Sequence, residues 1–306
     1  EKGVSIVYIS HRMEELFEIG DRVTVLRDGR TVGTYDVRSM NKSELIRLMV
    51  NRELTDLFPK ERAELGPEVL RVEGLSTQGG LQDISFSLRK GEVLGIAGLL
   101  GAGRTELARA IFGRDKIESG VISINGRPQR IGSPRAAINS GIGFLTEDRK
   151  SQGLVLPLSV EENLCLASVG KFSTWGVMRA REEQQAADRY VKDLRIKTPS
   201  LNQKVVYLSG GNQQKVVLSK WLCCESEVFI FDEPTRGVDV GAKAEIYQLM
   251  NRLTAAGVAI IMISSEMLEV LGMSDRILVM RGGRISGEFT ADEATSEKIL
   301  KCALGE

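Results

Sequence analysis

EVLGIAGLLGAGRTELARAIF, residues 92–112, sets an apolar run, a glycine-rich loop and an amphipathic stretch in immediate succession. Glu92 to Ala97 reads as a strand, and after the loop Gly98 to Thr105 the residues Leu107, Ala108, Ile111 and Phe112 share one helical face. In a loop of this kind the glycines let backbone amides turn inward at a helix N-terminus, an arrangement suited to phosphate. Gly98, Gly101, Ala102 and Gly103 would then shape the cradle, with Arg104 reaching the terminal phosphates and Thr105 placing a hydroxyl on magnesium; Glu106 completes the candidate set. The spacing follows G-x-x-x-x-G-K-[ST] except that Arg104 stands in place of Lys. Taken alone, such a loop also serves as a tight turn.

Two further segments narrow the reading. In VFIFDEPTRGVD, residues 228–239, four apolar residues lead into Asp232 and Glu233. An acidic pair at the end of a buried strand suits a carboxylate that holds magnesium and a base that polarises water. In LSGGNQQKVVLSKWL, residues 208–222, a serine and two glycines open a helix. Ser209, Gly210, Gly211 and Gln213 form a second phosphate grip there, since backbone amides and a hydroxyl converge at a helix start. One domain has no use for two separate grips on one nucleotide. Two domains facing head to tail do, each sandwiching ATP between its own glycine loop and its neighbour's Ser-Gly-Gly segment.

The chain also repeats itself. GVSIVYISHRMEELFEIGDRVTVLRDGRTVG from Gly3 aligns without a gap to GVAIIMISSEMLEVLGMSDRILVMRGGRISG from Gly257, an offset of 257 − 3 = 254 residues. Each copy reads as a buried strand, a short helix and two strands around an Arg-Asp-Gly or Arg-Gly-Gly turn. Each closes in a helix, 43–52 or 296–304. The expectation is a tandem protein lacking most of its first half: residues 1–53 end one domain, the charged stretch 54–67 with Pro59 and Pro67 is a linker, and 68–306 form the second. Ser5 to Ile9 then reads as a strand meant for burial on both faces of a parallel sheet, with its natural neighbours absent. A short N-terminal extension packed on the second domain is the alternative.

Composition sets outer limits. Of 306 residues 42% are hydrophobic, and 41 basic residues balance 41 acidic ones, so there is no overall field to hold nucleic acid or an anionic membrane. No apolar stretch approaches the ~20 residues of a membrane-spanning helix. Cys165, Cys223, Cys224 and Cys302 fit neither a metal pattern nor a disulfide framework and read as reduced thiols in the cytosol.

At the Ser-Gly-Gly segment the sequence resembles the ATP-binding cassette (ABC) ATPases. With GAGRTE (101–106), LTEDRK (145–150), SGGNQQKV (209–216) and DEPTRGVDVGAK (232–243), it resembles the second cassette of the ribose and allose type of sugar importer. The resemblance implies an α/β P-loop NTPase fold with a parallel-sheet core, a small antiparallel β subdomain near residues 69–90 and 120–127, and a helical subdomain at about 150–224. It implies ATP and Mg2+ as cofactors and Asp239 among the nucleotide-binding positions. It also implies a second cassette as head-to-tail partner, two transmembrane permease subunits, a periplasmic sugar-binding protein acting through them, and a place at the cytoplasmic face of the bacterial inner membrane.

Departures from the family pattern shape the expected mechanism. Arg104 stands where active cassettes have Lys, Glu147 where a Gln senses magnesium and the γ-phosphate, and Ser265 where the switch His stands. No aromatic residue lies between Leu75 and Leu81 to stack on adenine. The sole histidine, His11, occupies the first copy's equivalent of Ser265, where an imidazole can contact the γ-phosphate and attacking water. The expectation is hydrolysis mainly at a site joining the first domain's glycine loop to this chain's Ser-Gly-Gly segment, with nucleotide held at the Arg104 site. Should the Arg104 site turn over, Glu233 is the base, with Thr105 and Asp232 on magnesium. A nucleotide-holding regulatory module is the alternative for the chain taken alone.

Overall fold

The computed structural model describes residues 4–9, 13–27, 30–40, 44, 45, 48, 58–175, 177–238 and 240–305. In chain order the elements are α1 (Met13–Ile19), β1 (Arg22–Arg27), β2 (Arg30–Asp36), β3 (Glu68–Thr77), β4 (Ile84–Arg89), β5 (Val93–Gly98), α2 (Arg104–Ile111), β6 (Ile117–Ile124) and β7 (Arg127–Gln129). They continue with α3 (Pro134–Asn139), β8 (Ile142–Leu145), α4 (Val160–Cys165), β9 (Ser173–Thr174), β10 (Val177–Met178), α5 (Ala180–Asp193) and α6 (Gly210–Cys223). The last are β11 (Val228–Asp232), α7 (Val240–Ala255), β12 (Ala259–Ile263), α8 (Met267–Met273), β13 (Arg276–Arg281), β14 (Arg284–Thr290) and α9 (Ser296–Leu304).

Six strands make the central sheet in the order β14-β13-β5-β12-β11-β8. All neighbours run parallel except β13 and β14. Every residue of β8, β11 and β12 is buried, as the continuous apolar runs of strands covered on both faces require. A second, antiparallel sheet, β4-β3-β6-β7, stands beside it. Gln82 ties the two by donating its backbone N–H to the Gly283 carbonyl at 2.9 Å. Gly283 lies at φ +77°, and a Cβ there would fall 1.9 Å from the Gly80 carbonyl oxygen, so this approach admits only glycine.

The helical subdomain expected at about 150–224 consists of α4, α5 and α6. Ser159 and Glu162 form a reciprocal capping box at the start of α4, which fixes where that helix begins. The Phe112 ring joins α6 to the core, lying 5.6 Å edge-on to Trp221 and 5.3 Å from Phe144. All four cysteines are free.

The two copies of the repeat share their elements one for one. The bounds of α1, β1 and β2 plus 254 give those of α8, β13 and β14. Their first segments differ. Residues 259–263 form β12, hydrogen-bonded on both sides, whereas residues 4–9 form neither helix nor strand and Ile6, Val7 and Ile9 are 83%, 91% and 92% exposed. Ser5 to Ile9 thus has the composition of a doubly buried strand without its neighbours: such a strand forms only between partners that satisfy its backbone and cover its side chains, and the described residues provide none. The closing helix expected at 43–52 falls largely outside the described residues. The latter part of the stretch 54–67 packs on the residues that follow it, with Phe58 against the Tyr247 ring at 5.4 Å and Lys60 paired with Asp275 at 2.7 Å.

One buried ion pair pins the sheets together. Glu92, only 2% exposed, accepts from the Arg276 Nε–H at 2.8 Å and the Arg89 backbone N–H at 2.7 Å, while Arg276 also donates to Glu288 and to the Ser87 carbonyl. Removing one partner of such a pair strands a buried charge. Arg276→Met is expected to lower the unfolding free energy by about 3 kcal/mol, measured by urea denaturation, while Glu92→Gln with Arg276→Met together should cost less than the single change.

Candidate active site

The parallel register decides what meets at the carboxyl edge of the sheet. Asp232 stands beside Ile263, and Ile263 beside Ile96, so the ends of β11, β12 and β5 lie side by side. The glycine loop follows β5, the acidic pair ends β11, and Ser264 and Ser265 follow β12. This is the edge at which open parallel sheets bind ligands.

Gly98, Gly101 and Gly103 take φ of 154°, 77° and 102°, and Gly103 is the left-handed residue before α2. Ala102 is buried beneath the loop, its N–H donating to the Leu99 carbonyl and its carbonyl accepting from Gly283. Arg104 does not point freely outward: its Nη1 donates to the Ser264 carbonyl at 2.7 Å, which binds the loop to the end of β12.

Beneath Thr105 lies Asp232, 1% exposed, with both carboxylate oxygens buried and no hydrogen-bond partner in bonding geometry. Burial pushes its pKa up to about 6; the nearby Thr105 hydroxyl and Arg104 and Arg109 charges oppose the shift, and Glu106 adds to it. Glu233 follows in the left-handed region at φ +51°, a strained conformation for a residue with a Cβ. Its backbone N–H donates to the Ile263 carbonyl at 2.9 Å, and its Oε2 accepts from the Ser265 hydroxyl at 3.0 Å. Burial raises the Glu233 pKa as well, partly offset by the Ser265 hydrogen bond and the Arg104 charge.

Behind these groups is a buried carboxyl that sequence reasoning missed. Glu269 accepts from the Thr235 hydroxyl at 3.1 Å and from the Ser264 hydroxyl, and so joins the turn after the acidic pair to the segment after β12. Nothing in its spacing marks it, because its partners lie on other elements. Glu147 is ion-paired with Arg236, another residue that the sequence did not single out.

Ser209, Gly210 and Gly211 open the 14-residue helix α6. Ser209 is exposed and its hydroxyl oxygen accepts from the Asn212 side chain at 2.9 Å. Gln213 departs from its expected place in the phosphate grip: it is 4% exposed and its amide donates inward to the Val205 carbonyl at 3.0 Å, so it braces the helix start. Its neighbour Gln214 donates to the Pro234 carbonyl at 2.9 Å. Among the described residues no hydrogen bond or ion pair joins the Ser209–Gly211 segment to the glycine loop. His11 and Asp239 lie outside the described residues.

The structure thus brings Arg104, Thr105, Asp232, Glu233 and Ser265 to one edge and sets Ser209, Gly210 and Gly211 apart from them. The sequence profile described as ABC transporter matches residues 81–236, from the antiparallel sheet through the glycine loop and Ser-Gly-Gly helix to the acidic pair. The chain belongs to the ABC transporter family. The chain is 55% identical over 305 residues to the ribose import ATP-binding protein RbsA 1 of Rubrobacter xylanophilus, covering 99% of this chain and 61% of that protein. It is 52% identical to the ribose import ATP-binding protein RbsA of Bacillus subtilis, covering all of this chain and 62% of that one. The chain therefore spans about three-fifths of the length of the curated relatives it matches. A crystal structure of an ATP-binding cassette of an ABC transporter in its ADP conformation superposes with a TM-score of 0.66 at 23% identity, covering 78% of this chain and 100% of that one, a likeness of fold. Among the described residues no helix is long and apolar enough to cross a membrane.

The raised Asp232 pKa has a definite sign for this ABC domain. The folded chain holds a proton on Asp232 that the unfolded chain releases near 3.8, so the stability it contributes is full below about pH 4 and lost as pH rises through about 6. Asp232→Asn is expected to remove roughly 2–3 kcal/mol of that decline between pH 4 and 7 in the absence of magnesium, read from denaturation midpoints across the range.

Proposed function

We propose that this chain is part of the ATP-hydrolysing subunit of a bacterial monosaccharide importer of the ribose type, working at the cytoplasmic face of the inner membrane. Its partners would be two transmembrane permease subunits, fed by a periplasmic sugar-binding protein. The observation that carries the reading is the match, across essentially the whole chain at above 50% identity, to ribose import ATP-binding proteins, over a site whose groups face one sheet edge.

Asp232 supports magnesium as the cofactor. Two buried carboxylate oxygens with no partner in bonding geometry, and a pKa raised by burial in spite of the Arg104 and Arg109 charges, are what a divalent ion at this place relieves. Thr105 and Asp232 would hold it, and when bound it neutralises charge on the β- and γ-phosphates. Where this site turns over, Glu233 takes the proton of the attacking water as the water oxygen bonds to the γ-phosphorus and the bond to the bridging oxygen breaks, and the Ser265 hydroxyl fixes its carboxylate in place.

Residues 1–53 read best as the end of a first cassette. The ungapped repeat, the shared element bounds and the exposed apolar run at residues 4–9 support that assignment. In a head-to-tail pair of cassettes, His11 and the Ser209–Gly211 segment would share one composite site, and the glycine loop with Glu233 would serve the other. Turnover belongs chiefly to the first. At the second, Arg104 is engaged by the Ser264 carbonyl, Ser265 replaces the switch histidine, and Glu147 is drawn to Arg236, so that site holds nucleotide more than it cleaves it.

The purified chain is expected to bind magnesium-ATP and to release phosphate at a rate within about twofold of its Glu233→Gln version. Release that falls a hundredfold or more with Glu233→Gln would make the Arg104 site the catalytic one. Arg104→Lys should raise release if the forked guanidinium is what restrains the site.

A further inference from the structure

The segment Glu147–Gly153 connects β8 to the helical subdomain, and its polar groups are spent on holding other loops. Asp148 caps its own turn, accepting from the Lys150 and Ser151 backbone N–H groups at 2.9 and 3.3 Å and from the Ser151 hydroxyl at 2.7 Å. Those bonds hold its carboxyl below the usual carboxylate range and leave it turned to its own loop. The Gly153 carbonyl accepts from Lys220 on α6 at 2.6 Å; that lysine is 7% exposed, its ammonium lies 4.7 Å from the centre of the Trp221 ring, and burial pushes its pKa down to about 8. Both ends of the segment are thus anchored.

Arg149 lies between those anchors and makes the contacts least expected of a surface loop. Its Nη1 donates to the Arg236 carbonyl at 2.9 Å and its Nη2 to the Gly237 carbonyl at 3.3 Å, while its Nε–H is buried without an acceptor. A Cβ placed on Gly210 would fall 2.7 Å from Nη2, so the guanidinium rests directly against the backbone that opens α6. Gly237, at φ +66°, presents its carbonyl to the same gap. Among the described residues no carboxylate forms an ion pair with Arg149. A planar fork fits this gap because two parallel N–H groups can address two successive carbonyls at once, which an ammonium cannot do.

We propose that Arg149 is a positioning residue for the ATPase reaction, a clamp that holds the Ser209–Gly211 start of α6 to the turn following Asp232 and Glu233. The clamp makes one body of two pieces that, among the described residues, no other side chain joins through a charge, with Gln214 on the Pro234 carbonyl as its neutral companion. Resting on the head-to-tail reading above, those pieces serve opposite nucleotides: α6 faces the partner cassette's ATP, and Glu233 faces this cassette's own. Arg149 then carries the state of one composite site to the other, and Gly210 is required to be glycine so that the guanidinium can lie against it.

The test compares hydrogen–deuterium exchange and magnesium-ATP affinity for the full chain, Arg149→Ala, Arg149→Lys and Gly210→Ala. Loss of two charge-assisted bonds is expected to speed exchange about tenfold or more in residues 205–214 and 233–238, with residues 68–77 and 92–105 unchanged. In Arg149→Ala, ATP affinity at the glycine loop should remain within about twofold, and ATP-induced protection of 208–213 should be lost. Arg149→Lys should restore part of the protection, and Gly210→Ala should reproduce the Arg149→Ala exchange pattern in residues 233–238 with the arginine still present. Exchange that stays unchanged, or that rises equally through the central sheet, overturns the clamp. Absence of magnesium-ATP binding by the unmodified chain would instead overturn the nucleotide reading, and the exchange comparison would still decide the clamp.

Discussion

The parallel register of β5, β12 and β11 is the constraint on which the rest depends. Residue-by-residue pairing brings Ile96, Ile263 and Asp232 into line, so three loops distant in sequence leave the sheet at one edge. Shifting any of these strands by one residue would exchange its buried faces and move its loop out of reach. The two sheets are kept in this relation by Glu92 and Arg276, and by the close approach of Gly283 to Gly80.

At that edge, strain and unpaired charge accumulate where ligand chemistry is expected. Asp232 is buried with no partner and Glu233 holds a left-handed backbone. Both conditions cost stability, and the surrounding network over-determines them: Glu269 links Thr235 to Ser264, Ser264 accepts Arg104, and Ser265 donates to Glu233. A set of short hydrogen-bonded links therefore runs from the glycine loop to the acidic pair without passing through solvent. The loop at Glu147–Gly153 plays the corresponding part between the acidic pair and α6, through Arg236, Arg149 and Lys220.

The repeat separates what a segment does locally from what its surroundings do to it. The helix and hairpin of the two copies have the same bounds at the same offset, because the apolar periodicity that sets them is a local property of the sequence. Their leading apolar segments have similar composition and opposite fates, exposed at residues 4–9 and buried at 259–263, because a strand's burial is decided by its neighbours.

Fold class, the glycine loop, the acidic pair and the opening of α6 were legible in the sequence because each depends on a contiguous pattern: an apolar run, glycines at fixed spacing, a helix start. The inward turn of Gln213, the pairing of Glu147 with Arg236, the buried Glu269 and the contacts of Arg149 were not, since each joins residues from 5 to 89 positions apart through a direction that only packing assigns. Local chemistry thus determined which elements form and which residues are suited to phosphate. Tertiary structure decided which of them meet, because the parallel sheet aligns strand ends that the chain itself keeps far apart.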